Sequence, residues 1–215
     1  MIVMRGNKVL NTGFAIVLAV SVAACNTAAK KKIAEQYDSP DKLKKLTPAK
    51  MLDIGFQYYK IGDTGKAIDI AKYCIYKNYS RSDAYVLLGK CYYVKKDYRK
   101  ARAALEMAGN NGEAYLTLSS VALDEGNVSL ALASLKRVPW AGRNNAVYYL
   151  NWGDMYNAVG EYKRAAFCYI QAINLNPKFV NAYKRLLHTC KRSRDDALAK
   201  RAEELYAVHK IKYGI

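Results

Sequence analysis

The amino-acid sequence predicts an all-α protein, an α-solenoid of stacked helix pairs, and three observations carry that expectation. Small residues recur along the middle of the chain at Gly55, Gly89, Ser119 and Gly153, stepping by 34, 30 and 34 positions. Only four prolines interrupt 215 residues, so helices of a dozen residues can run unbroken. The chain is 52% hydrophobic and 25% charged, the balance of a folded protein rather than a disordered one. Nineteen tyrosines against four phenylalanines suit a thin structure with much half-buried surface.

The N-terminus sets the compartment. Residues 1–8 carry Arg5 and Lys8 and no acid, and residues 9–24 carry no charge and end in Val22-Ala23-Ala24 before Cys25. A cationic start, small residues ahead of a cleavage point, and an apolar stretch shorter than the ~20 residues of a membrane span describe a secretory signal. Val22-Ala23-Ala24-Cys25 resembles the bacterial lipobox, in which cleavage leaves the cysteine first in the mature chain with a diacylglycerol on its thiol. The resemblance implies a signal peptide over 1–24 and lipidation at Cys25. Asn26 is not the aspartate of an inner-membrane retention signal, so the expected location is the bacterial outer membrane, facing the periplasm. Acyl chains anchor at ~0.8 kcal/mol per buried methylene. Residues 25–47 then form a polar, lipidated tether, with Lys30-Lys31-Lys32 adding weak adhesion to anionic headgroups.

The formal charge is +17, and +15 remains without residues 1–24, whose only charges are Arg5 and Lys8. Such a charge favours nucleic acid, anionic lipid or acidic protein surfaces as neighbours. Export removes nucleic acid from that set. The expected partners are protein clients, together with the membrane through the lipid on Cys25; neither a cofactor nor a small-molecule substrate is expected.

The repeats come next. Gly55 and Tyr58 are followed by Gly62, Ala67, Ala71 and Cys74; Gly89 and Tyr92 by Ala101, Leu105 and Ala108. Ser119 and Ala122 are followed by Gly126, Ala131, Leu135 and Val138; Gly153 and Tyr156 by Gly160, Ala165, Tyr169, Ala172 and Pro177. A small residue on a first helix lets a second helix approach, and the alanine twelve positions later sits opposite it. The tyrosine one turn on fills the space between units, and the glycines at 62, 126 and 160 end a helix in a left-handed conformation.

This spacing resembles the tetratricopeptide repeat, a helix–turn–helix unit of 34 residues. The fourth copy carries the resemblance best, through Tyr149, Trp152, Gly153, Tyr156, Gly160, Tyr162, Ala165, Tyr169, Ala172 and Pro177. It implies four repeats over 48–177 wound into a right-handed superhelix. A degenerate fifth repeat and basic cap cover 178–215, where Tyr183, Leu187 and Ala199 keep phase without a turn glycine. That last stretch holds ten Lys or Arg against four acids.

Such arrays bind through a groove lined by their first helices. Helical phase assigns Leu52, Phe56 and Tyr59 to it, then Val86, Lys90 and Tyr93, then Leu116, Ser120 and Leu123, then Leu150, Asp154 and Asn157. The cap adds Lys184 and His188, with Arg185, Lys191 and Arg192 nearby. The groove reads as apolar and aromatic at its beginning and cationic at its end, suited to an apolar or amphipathic peptide with an acidic flank. Phe56, Tyr59 and Tyr93 equally suit positions that complete helix packing. The lysine–asparagine–arginine clamp of some such domains does not carry over, because Leu52 and Phe56 stand where polar donors are required.

Cys74, Cys91, Cys168 and Cys190 form no C-x-x-C pair, which leaves zinc ligation unsupported. Their number allows two disulfides, yet Cys74 falls at a small core position, which favours buried free thiols. His188 and His209 lie apart from any nucleophile or phosphate-loop motif, and the chain reads as a non-enzyme. The combination of anchor and repeats resembles pilotin-type and TadD-like lipoproteins of type IV and tight-adherence pilus systems. That likeness implies a scaffold assisting assembly of an envelope complex such as a secretin. Lipoprotein adaptors of peptidoglycan hydrolases and accessories of outer-membrane β-barrel insertion share the same features and stand as alternatives.

Overall fold

The computed structural model describes residues 46–215. The expected signal peptide over 1–24, the expected lipidation at Cys25 and nearly all of the expected tether over 25–47 lie outside the described residues. Ten α-helices and no strand occur among those that are described. They are α1 Pro48–Lys60, α2 Thr64–Tyr76, α3 Arg81–Val94, α4 Tyr98–Met107, α5 Gly112–Asp124, α6 Val128–Arg137, α7 Ala146–Ala158, α8 Tyr162–Leu175, α9 Val180–Ser193 and α10 Asp196–Tyr213. Odd-numbered helices are the first helices of successive repeats. The chain forms two compact units that part between Ser80 and Arg81.

The turn inside each repeat follows one recipe. A residue with positive φ ends the first helix: Gly62 at 80°, Lys96 at 59°, Gly126 at 73°, Gly160 at 82° and Arg194 at 54°. The next residue is acidic or Asn and starts the second helix. The side chains of Asp63, Asp97, Asn127 and Asp195 each accept a backbone N–H three residues on, at 3.2, 3.2, 3.0 and 3.0 Å. Two of the five turns therefore put a side chain where glycine is preferred, at a strain of roughly 1–2 kcal/mol. Lys96→Gly is expected to raise the unfolding free energy by about 0.5–1 kcal/mol, part of the relief being offset by the freer unfolded chain. A rise in the urea midpoint at constant slope checks it.

Helix length explains the irregular period. The second helix of the fourth repeat, α8, has 14 residues, whereas α4 and α6 have 10 each. The difference is about one turn, roughly 6 Å of helix at 1.5 Å per residue. After α4 the chain goes straight into α5, so the second repeat is a turn short and the 30-residue step results. After α6 the missing residues return as an extended connection, 138–145, with one 3₁₀ turn at Trp140–Gly142, and the 34-residue step is restored.

In the first unit α1 packs on α2, burying Met51, Ile54 and Tyr58 against a side that includes Ala67, Ile70, Ala71 and Cys74. In the second unit the core is divided into local clusters. One joins α3, α4 and α5 through Val86, Ala101, Leu105, Ala114, Leu118 and Val121. Another joins α5, α6 and α7 through Tyr115, Leu116, Leu135, Val138 and Met155. The largest runs from α7 to α10 and centres on Tyr169 and Tyr183, neither of which has exposed surface. Burial passes from repeat to repeat, as expected of a quasi-one-dimensional array. At the far end Leu187, where α7 has Gly153, is only partly buried. The Tyr183 hydroxyl lies 2.5 Å from His209 Nδ1, and the His209 ring stands edge-on to Tyr213 at 5.1 Å. His209 is thus a packing residue of the terminal repeat.

Candidate functional site

The first-helix face of the second unit is laced together across repeats. Lys90 of α3 pairs with Glu113 of α5. The Tyr93 hydroxyl donates to Asp124 Oδ2 at 2.9 Å. Asn151 of α7 is buried and donates to Ser119 Oγ at 2.7 Å and to the Leu116 carbonyl at 2.9 Å, locking α7 on α5. Thr189 of α9 donates to Asn157 Oδ1 at 3.1 Å. Within the second unit every step between repeats therefore has a polar tie on this face, and Val86, Leu116 and Leu150 are buried.

The centre of the face holds a charged cluster. Asp154 accepts from the Tyr169 hydroxyl at 2.7 Å and faces Arg185 Nη1 at 3.3 Å. Burial raises the Asp154 carboxyl above its ordinary range, while Arg185 and the Tyr169 hydroxyl pull it back. Burial, then the bond to Asp124, pushes the Tyr93 phenol up, and Arg185 acts against this. Tyr93, Asp124, Asp154 and Arg185 thus share one electrostatic neighbourhood although they come from four different repeats.

This cluster has a pH signature. Deprotonated Asp154 is what Arg185 stabilises, so the contribution of Arg185 is present above the folded-state titration of Asp154 and is lost as pH falls through it. Arg185→Gln is expected to cost about 0.5–1 kcal/mol at neutral pH, discounted for the half-exposed guanidinium. The cost should vanish near pH 3, as measured by urea unfolding at the two pH values.

The residues expected to line the groove are distributed as follows. Leu52 and Val86 are buried and offer no exposed lining, because their position on the helix points between helices rather than outward. Phe56 and Tyr59 are half-buried in the first unit. Lys90, Tyr93, Asp154 and Asn157 all lie in the polar ties just described. Lys184 and His188 are exposed on α9, as are Lys191 and Arg192, the last with its guanidinium 5.0 Å from the Tyr162 ring. In the second unit the exposed face is therefore polar over α3–α7 and cationic over α9. The expected apolar lining of α3 lies beneath that surface.

Sequence reasoning missed the tie partners Glu113, Asp124, Asn151 and Thr189. Each sits next to the assigned stripe, and only the register between repeats brings it into play.

The four cysteines of the described residues are free and buried. Burial pushes Cys91 and Cys168 up to about 11 and raises Cys74 and Cys190 as well, so all four are thiols, not thiolates, at neutral pH. Among the described residues no cluster of His, Cys, Asp and Glu could hold a metal ion, and no helix is long and apolar enough to cross a membrane.

Known proteins agree with this architecture. The tetratricopeptide-repeat family model matches residues 146–179, the stretch that spans α7 and α8. No curated protein sequence matches the chain. Among solved structures, MamA from Desulfovibrio magneticus superposes with a TM-score of 0.57 at 19% identity, over 75% of this chain and 92% of that one. Pseudomonas aeruginosa PilF gives 0.65 at 14% identity, over 75% and 76%. YrrB, described as a TPR protein with an unusual peptide-binding site, gives 0.55 at 17% identity, over 86% and 94%. At these identities the likeness is one of fold. The described residues have the tetratricopeptide-repeat solenoid fold, an architecture of protein-binding scaffolds.

Proposed function

We propose that the chain is an envelope-anchored scaffold that holds a protein client on the first-helix face of its repeats and assists assembly or localisation of a pilus- or secretin-type complex. The observation that carries this reading is the exposure of Lys184, Lys191 and Arg192, with His188, on α9, a set that helical phase assigns to or near the groove side. Arginine and lysine heads exposed on a rigid helix suit an acidic stretch of a client, and the fold presents them without any further rearrangement. Taken by itself, the first unit offers Phe56 and Tyr59 as candidates for apolar contact with a client. The lipobox-like Val22-Ala23-Ala24-Cys25 supplies the anchor in this reading.

Charge reversal tests the face. Lys184→Glu combined with Lys191→Glu changes two exposed side chains, so the fold should be kept. Client recovered by crosslinking from the envelope is expected to fall at least tenfold relative to wild type. Equal recovery would place the client elsewhere on the molecule.

A further inference from the structure

A cavity of about 680 Å³ is lined by Trp140, Arg143 and Asn144 of the 138–145 connection, Tyr148, Tyr149, Trp152 and Tyr156 of α7, and Cys168 of α8. At about 100° per residue, the α7 residues of this set fall on the side of the helix away from Leu150, Asp154 and Asn157. The cavity is thus separate from the first-helix face.

Its wall is a file of aromatic rings. Tyr148 meets Tyr149 edge-on at 5.4 Å and Trp152 at 6.2 Å, and Trp152 meets Tyr156 at 5.6 Å. The Nε1 of Trp152 is enclosed without a hydrogen-bond acceptor among the described residues. An enclosed donor of this kind costs about 1–3 kcal/mol. At the rim Trp140 is 83% exposed, an unusual position for the largest apolar side chain. Arg143 donates from Nε to the Val138 carbonyl at 3.2 Å, and its guanidinium lies 5.8 Å from the Trp140 ring. Arg164 lies 5.7 Å from the Tyr156 ring. No Asp or Glu lines the cavity.

We infer that this cavity is a second protein-docking site, which takes a short acidic segment of a partner protein by seating an aromatic or leucine side chain against the Trp140–Trp152 wall and a flanking carboxylate on Arg143. Tryptophan, tyrosine and arginine around an apolar hollow are the composition of interface hot spots. The volume falls within the range of pockets that enclose a ligand of a few hundred daltons. Charge selects the partner, since the lining carries arginine and no acid and the whole chain is at +17. Cys168 contributes surface rather than reactivity, because burial holds it as a thiol.

The test uses the fact that the chain has two tryptophans, Trp140 and Trp152, and both line this cavity. A phage-displayed random dodecapeptide library is panned on the full chain. The selected peptide, made with phenylalanine in place of any tryptophan, is titrated against intrinsic tryptophan fluorescence. The expected result is a consensus with an aromatic residue or leucine beside Asp or Glu, a saturable change in emission, and affinity at least tenfold weaker in both Trp140→Ala and Arg143→Glu. Trp140→Ala removes an exposed side chain and should leave the helical circular dichroism unchanged, so it decides the matter even if Arg143→Glu disturbs the connection. Binding should persist in the Lys184→Glu, Lys191→Glu variant, which separates this site from the first-helix face. No enrichment, a consensus without acids, emission that does not change, or binding indifferent to Trp140→Ala would overturn the inference.

Discussion

Gly153→Val is expected to cost at least about 3 kcal/mol, a large share of the 5–15 kcal/mol that holds a typical domain together. The reason is the closeness of α7 and α8. A Cβ at Gly153 would fall within 2.7 Å of Tyr169 Cδ1 and 2.9 Å of Cζ, well inside carbon–carbon contact. Tyr169 has no exposed surface, and its hydroxyl is tied to Asp154, so the ring cannot turn away without breaking the charged cluster of the first-helix face. The same change at Gly89 meets Leu105 at 2.5 and 2.7 Å, and a leucine can change rotamer where a tied tyrosine cannot. Gly89→Ala should therefore be milder than Gly153→Ala. Urea unfolding followed by circular dichroism gives the comparison. A loss below about 1 kcal/mol for Gly153→Val would mean that the helices do not need this approach.

The other large effect is on location. Cys25→Ser removes the thiol that carries lipid in the proposed processing, and it is expected to move nearly all of the protein from the membrane pellet to the soluble fraction. Lipid chains contribute at ~0.8 kcal/mol per buried methylene, which no surface charge replaces at physiological salt. A fraction that stays bound but is released by 1 M salt would point to the lysines of the tether and of α9, because electrostatic adhesion is screened within ~3 Å at that strength. Full retention in high salt would remove the lipid anchor from the account.

The features of the fold that were legible in the sequence are those with a steric cause confined to a few residue types. Gly89 and Gly153 mark close helix crossings, and Gly62, Gly126 and Gly160 mark left-handed turns. The turns at Lys96 and Arg194 use the same backbone without glycine. Their signal was the following Asp97 and Asp195, which cap α4 and α10. The 30-residue step was visible, and its cause is Gly109, which takes a positive φ of 70° just beyond the C-cap Ala108 and stops α4 a turn early.

The candidate site was less legible. Helical phase put Val86 and Lys90 on one stripe, yet a stripe is wide enough to hold both a core residue and an exposed one. Whether Tyr93 is free or tied depends on Asp124, 31 residues later and in another repeat. The aromatic cavity depends on the course of an eight-residue connection that no period describes.

The central claim, an anchored scaffold for an envelope complex, is tested most directly by crosslinking the full chain in the cells that make it. The proteins recovered with it are then identified by mass spectrometry. A secretin or pilus component, lost with Lys184→Glu and Lys191→Glu, is the result this account predicts. Recovery of peptidoglycan hydrolases in its place, or of the same proteins irrespective of those two charges, would contradict it.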